Sequence, residues 1–242
     1  MKNITINGKI ITYELTKSRR KSLTITVKSD GTIQVKAPSF VSQKEIDDFL
    51  KRKGNWITEK IDRFSQLEKV KVIKLAPGDS LSFLGKDYTL IINREERKRT
   101  KVSVNELNRE IILTTGYNTA AKEKDSALES WLRQCAKELI HEKAAYFAKI
   151  LHVTYAAIRI KDQKSLWGSC SAQGNLNFNW RIIMAPEEIM DYLIVHELCH
   201  RLFMNHSADF WRCVERILPN YKQLRKWLKE NTFALKKDLH II

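Results

Sequence analysis

Toward its C-terminal end the chain reads His196-Glu197-Leu198-Cys199-His200, and six positions on comes His206. On a helix, residues four apart share a face, so His196 and His200 can aim two ring nitrogens at one ion with Glu197 beside them. A third ligand, His206, from beyond the helix end leaves one tetrahedral position open to water. That is the arrangement of a catalytic rather than a structural zinc site. The expected chemistry is hydrolysis. One zinc ion per chain, or another divalent metal that suits the same donors, would lower the pKa of a water from about 16 toward 7, and Glu197 would take its proton as general base. The H-E-x-x-H string alone is moderately specific; the third histidine makes it selective.

The carrying helix is announced by Ala185-Pro186-Glu187-Glu188, with proline where no N–H is needed and two acids at the positive end of the dipole. Ile189, Leu193, His196 and His200 then share one stripe. For His206 to turn back, the helix is expected to stop near Met204 or Asn205, asparagine accepting the left-handed conformation of a C-terminal stop. Ser207 supplies an N-cap for a further helix through Phe210, Trp211 and Val214. His141, His152 and His240 have no such company and read as structural residues.

The run from Lys164 to Trp211, with Trp167-Gly168-Ser169-Cys170-Ser171, Asn179-Trp180-Arg181, the H-E-x-x-H segment and Asn205-His206-Ser207, resembles the YgjP-like metallopeptidase-type family, related to the SprT-like and WLM zinc peptidases. Arg19-Arg20-Lys21-Ser22-Leu23, Asp30-Gly31, Ala37-Pro38 and the Trp56 helix extend the likeness over most of the chain. The resemblance implies a zinc-dependent hydrolase with His196, His200 and His206 as ligands and Glu197 as base. Leu166 stands where the family usually carries arginine, so that residue's anion contact is not carried over. Phe203 stands where metzincins have glycine, which separates the chain from them. In related peptidases a strand beside the metal helix holds the substrate backbone, and Asn175 to Arg181 is the stretch this points to. Arg181 is nominated for the developing oxyanion, and Asn179 and Ser169 as groups supporting the ligands.

At 242 residues and 43% hydrophobic, the chain suffices for a real core. No apolar stretch reaches membrane-span length and the start lacks a signal-peptide core, so no membrane partner and a cytoplasmic location are expected. Cys135, Cys170, Cys199 and Cys213 match neither a zinc ribbon nor a disulfide framework and are expected reduced, as small buried hydrophobes. The formal charge of +15 predicts attraction to polyanions. Lys17, Arg19, Arg20 and Lys21 form one basic cluster, and Arg94, Arg97, Lys98, Arg99 and Lys101 another. They read equally as solvated, edge-protecting turns and as a surface for nucleic acid or nucleotide. No RNA-type stacking motif accompanies them in sequence.

Leu23, Ile25 and Val27 alternate toward Asp30-Gly31, then Ile33 and Val35, as a β-hairpin. Ser42 and Glu45 make a capping box for a helix with Ile46, Phe49, Leu50, Ile57, Ile61 and Phe64 inward. Strands follow around Leu81–Phe83, Tyr88–Ile92, Val102–Val104 and Ile111–Leu113. A long helix spans about Ala120 to Leu151, then strands Ala157–Ile160 and Asn175–Asn179, and helices Ser207–Ile217 and Tyr221–Leu228. No internal repeat is evident. The expected class is α+β: a β-rich region with one helix over 1–116, and a zincin-like catalytic half with a small sheet over 117–242. Peptide-bond hydrolysis is the leading function. A nucleoside triphosphate (UTP) pyrophosphatase on the same metal site and a nucleic-acid-associated binding module are the alternatives.

Overall fold

Alternating apolar positions in the first residues build a four-stranded sheet in the computed structural model, which describes residues 1–28, 32–69 and 72–242. Strands β1 (Lys2–Ile6), β2 (Lys9–Ser18), β3 (Thr24–Val27) and β4 (Ile33–Pro38) lie in the order β1-β2-β4-β3. The outer pairs are antiparallel and the central β2–β4 pair is parallel. Helices α1 (Gln43–Arg52) and α2 (Gly54–Lys69) cover one face, and Ile46, Leu50 and Ile57 share a core with Ile6, Tyr13, Ile33 and Val35. The Ser42–Glu45 capping box forms in both directions. The single helix expected here is jointed at Lys53, where Gly54 approaches β1 so closely that a Cβ would stand 2.5 Å from Ile6 Cγ2. The Asp30-Gly31 turn and the side chain of Phe64 lie outside the described residues.

This unit spans Met1–Lys71, and a second runs from Val72 to Ile242. The second opens with β5 (Val72–Leu75), β6 (Ser80–Phe83), β7 (Lys86–Arg94), β8 (Lys101–Asn105) and β9 (Glu110–Thr115), followed by α3 (Ala121–Leu151). Then come β10 (Ala157–Lys161), β11 (Gly168–Cys170), β12 (Asn175–Asn179), a short 3-10 helix Trp180–Met184, α4 (Glu187–Cys199), α5 (Ala208–Ile217), α6 (Tyr221–Leu235) and β13 (Asp238–Ile241). The architecture is α+β. The strands up to Thr115, assigned from sequence to a region ending at 116, share a core with the following helices. Leu81, Phe83, Leu90, Ile111 and Leu113 are buried with Leu128, Leu132 and Ile140 of α3, and Phe83 stacks on Trp131 at 5.1 Å. A one-sided sheet needs a cover, and α3 provides it. Strands β5 and β13, not foreseen from sequence, pair in parallel, while Asp125 of α3 accepts hydrogen bonds from the Ile241 amide and His240 Nδ1 at 2.7 Å each.

The sheet β6-β7-β9-β8 repeats the order and strand sense of β1-β2-β4-β3. The correspondence reaches single residues. Buried Ile4, Ile6, Ile11 and Tyr13 match Leu81, Phe83, Tyr88 and Leu90, and Ile33, Val35 and Ala37 match Ile111, Leu113 and Thr115. Both first hairpins turn through consecutive positive φ, Asn7 and Gly8 at 49° and 76°, Leu84 and Gly85 at 52° and 73°, as a two-residue hairpin turn requires. The molecule therefore contains an internal structural repeat. It is hidden in the sequence because a half-buried sheet fixes only the alternation of side chains and the turn geometry, not residue identity.

Candidate metal centre

Helix α4 follows Pro186 at its N-cap, and from Ile189 on its wall is almost wholly buried. Its entry is braced by the β6–β7 hairpin. The Leu84 amide donates to Ile183 O and Ser82 Oγ to Met184 O, both at 2.8 Å. A Cβ on Gly85 would meet Pro186 at 2.6 Å. The helix ends at Cys199 with His200 as its cap, earlier than Met204 or Asn205, because the amides of Leu202 and Phe203 both turn back onto Cys199 O. This tight exit lets His206 return. Ser207 then caps α5, accepting from the Phe210 amide, and so fixes where Phe210 lands.

The fold brings the three histidines together, with one ligand atom from each within 4.8 Å of the others. Phe210, fully buried, is their common floor, its ring centroid 4.9, 4.6 and 4.8 Å from those of His196, His200 and His206. His196 Nε2 and His206 Nε2 stand 3.1 Å apart, close to the roughly 3.3 Å that tetrahedral zinc with Zn–N near 2.05 Å imposes. His200 Nδ1 hydrogen-bonds to Phe203 O at 3.0 Å, which leaves its Nε2 for a ligand. Burial, then the neighbouring histidines, push His196 down to about 3, and the same causes lower His206. Both rings are thus neutral, as metal binding requires. The donor set, its spacing and its charge state fit a zinc-type ion.

Glu197 is 4% exposed, and burial pushes its carboxyl up to about 8. It lies against β11: a Cβ on Gly168 would fall 2.5 Å from Glu197 Oε1 and 2.9 Å from Cδ. Gly168, part of the Trp-Gly-Ser-Cys run, is thus the residue that shapes the seat of Glu197. Strand β12 pairs on both sides, with β10 in parallel and β11 antiparallel. It has no free edge for a substrate, whereas β10 and β11 are the outer strands, and β11 is the one that touches Glu197. Trp167 O and the Ser171 amide bond to β12. By antiparallel alternation the main-chain groups of Gly168 and Cys170 therefore face away from it.

The remaining nominees hold the frame. Ser169 Oγ accepts from Asn177 Nδ2 at 3.0 Å, and alternation turns it to the face opposite Glu197. Asn179, fully buried, accepts from the Arg181 amide and donates to Gln163 O. Arg181 is buried and committed to Asp162 at 3.2 Å, Asp238 at 2.6 Å and the Lys237 carbonyl. The cation whose charge reaches His196 and His206 is instead Arg225 of α6, 4.6 Å above the Trp211 ring, which itself stacks on His206. All four cysteines are free thiols. Cys199 donates to Cys213 at 3.4 Å, and among the described residues the metal-binding group contains no cysteine. No helix among them is long and apolar enough to cross a membrane.

Three converging imidazoles with an adjoining buried carboxyl group are a donor set that a metal-dependent hydrolase can use. The description of the YgjP-like metallopeptidase domain matches residues 21–231. The chain belongs to this family, a peptidase-type hydrolase with a catalytic metal, typically zinc, and a peptide or protein substrate. Among solved structures it is similar to the metallopeptidase zymogen abylysin of Pyrococcus abyssi, at 23% identity over 41% of this chain and 98% of that one, with a TM-score of 0.36. It is also similar to the zymogen jannalysin of Methanocaldococcus jannaschii, at 21% identity over 38% and 96%, with a TM-score of 0.35. No curated protein matches the chain significantly.

Proposed function

We propose that this metallopeptidase hydrolyses peptide bonds with His196, His200 and His206 holding zinc and Glu197 as general base. The observation that carries the reading is the seating of Glu197, a carboxylate buried beside the triad and pressed against an outer strand. Bound zinc would supply Lewis acidity toward the scissile carbonyl, would make water acidic near neutral pH, and by its positive charge would favour the ionised Glu197 carboxylate against the burial that raises its pKa. Glu197 takes the proton from that water and later gives it to the leaving amine. An extended polypeptide pairs with the outward main-chain groups of Gly168 and Cys170, which sets its register beside the base. Phe210 excludes water from beneath the histidines, and Arg225 is the cationic group available to the developing oxyanion.

The test is turnover of an unfolded protein substrate and of UTP, each with and without chelator, by the wild type and by Glu197→Gln. The expected result is chelator-sensitive polypeptide cleavage that falls by about 100- to 10,000-fold in the variant, with metal content unchanged by elemental analysis. Pyrophosphate release with the polypeptide left intact would overturn the proposal.

A further inference from the structure

The structural repeat places both basic clusters in the same loop of the two sheets, the connection from the long second strand to the third. Lys17, Arg20 and Lys21 in the first copy occupy the places of Arg94, Arg97 and Lys98 in the second. Exposure follows the same sequence along both loops, with Lys17 and Arg94 exposed, Arg20 and Arg97 half-buried, and Lys21 and Lys98 exposed. Around each loop the parallel central pair ends, Ser18 opposite Pro38 and Arg94 opposite Thr115. The chain leaving that pair then makes a turn that presents one aromatic ring to solvent, Phe40 in the first copy, 81% exposed, and Tyr117 in the second, 67% exposed.

Each ring is held beside its basic loop. In the first copy the Ser39 amide donates to Ser18 O at 3.0 Å, and Lys17 Nζ reaches Val41 O at 2.6 Å, the residues flanking Phe40. In the second, the Glu95 amide donates to Thr115 O at 2.9 Å, and Gly116 lies so near the loop that a Cβ would meet Arg97 O at 2.6 Å. Arg94 and Tyr117, with Lys124 and Glu95, line one open cleft of about 630 Å³, a volume within the range of small-ligand sites. Among the described residues the cations of these loops make one ion pair, a 3.9 Å contact of Arg97 with Glu95, and the charge of Lys17 also acts on Glu45.

Cations alone would serve any polyanion. Cations that track phosphates, with rings on which bases stack, are the two parts of a single-strand binding surface, because only unpaired bases offer their faces. We propose that each copy of the repeat is a nucleotide-binding platform, and that the chain binds single-stranded nucleic acid through Phe40 with Arg19 and Lys21, and through Tyr117 with Lys98 and Arg99. None of these residues belongs to the histidine group of the metal centre.

The test is fluorescence anisotropy of the full chain with a labelled single strand of about 12 nucleotides, with a duplex of the same length and with heparin, from about 50 to 200 mM salt. The single strand is expected to bind at least about tenfold more tightly than the duplex. Phe40→Ala and Tyr117→Ala should each weaken it by about tenfold without changing the salt slope, while Tyr117→Phe binds as the wild type. Arg19→Ser with Lys21→Ser, and Lys98→Ser with Arg99→Ser, should each reduce the slope by about 1.4. Phe40→Leu keeps apolar bulk without the ring and serves if the alanine variant melts early. Aromatic variants that bind as tightly as the wild type, duplex or heparin bound as well as the single strand, or no binding would each overturn the proposal.

Discussion

Gly168 and Glu197 touch so closely that the space a single methyl would need is already filled by the glutamate carboxyl, 2.5 Å from the Cβ position to Oε1. The Glu197 carboxyl, the proposed base, is therefore aimed by a neighbour's lack of a side chain. Gly168→Ala is expected to displace Glu197 by a fraction of an ångström to one ångström and lower kcat about 100-fold, while the metal content of the purified protein stays at the wild-type value. Wild-type turnover in this variant would show that the carboxyl has room to spare.

The histidine triad links metal to stability. An ion bound only by the folded state adds stability that grows with its excess over the dissociation constant, about 4 kcal/mol at a thousandfold excess. Chelator is expected to lower the melting temperature of the wild type by several degrees. It should leave His206→Ala, already without the full ligand set, nearly unmoved in differential scanning calorimetry.

Two arginines divide along the line between frame and chemistry. Arg181 is 4% exposed and fastened to Asp162 and Asp238, so Arg181→Met should cost about 3 kcal/mol in urea unfolding with kcat per folded molecule nearly unchanged. Arg225 is exposed on Trp211, and Arg225→Met should leave stability within about 1 kcal/mol while kcat/KM falls by roughly tenfold or more. The opposite pattern would exchange their roles.

Asp162 gives the frame an acid limit. Burial alone would raise its pKa, but the hydrogen bonds and charge of Arg181, helped by Trp180 and Arg133, outweigh this and hold the carboxyl below its ordinary 3.8. A depressed folded pKa gives stability that is complete above the unfolded value and is lost as pH falls through the folded one. Asp162→Asn should therefore be less stable than the wild type at pH 7, by about 1 kcal/mol since the group is partly exposed. The difference should close below about pH 4 in denaturant titrations.

The convergence of the three histidines, the long helix and the fold class were legible because their signals are local: spacing on one helix, a capping serine, apolar periodicity. Other features depended on distant partners. Arg181 announces nothing of Asp238, and strand β11 has three residues, too few for any period. The end of α4 came early because backbone bonds onto Cys199 O tighten its exit, a choice that side-chain types alone do not dictate. The repeat is invisible in the sequence because pairs such as Tyr13 and Leu90 share a burial pattern without sharing chemistry.

Strand β13 has a consequence for when the enzyme matures. Every metal ligand has been synthesised once His206 has emerged, yet Lys237 and Asp238, which fasten Arg181, and Ile241, which joins α3 through Asp125, come after α6. A nascent chain halted between these points carries a complete set of donors on an unlatched scaffold. The fastening of Arg181 and of α3 thereby waits on the last strand of the unit.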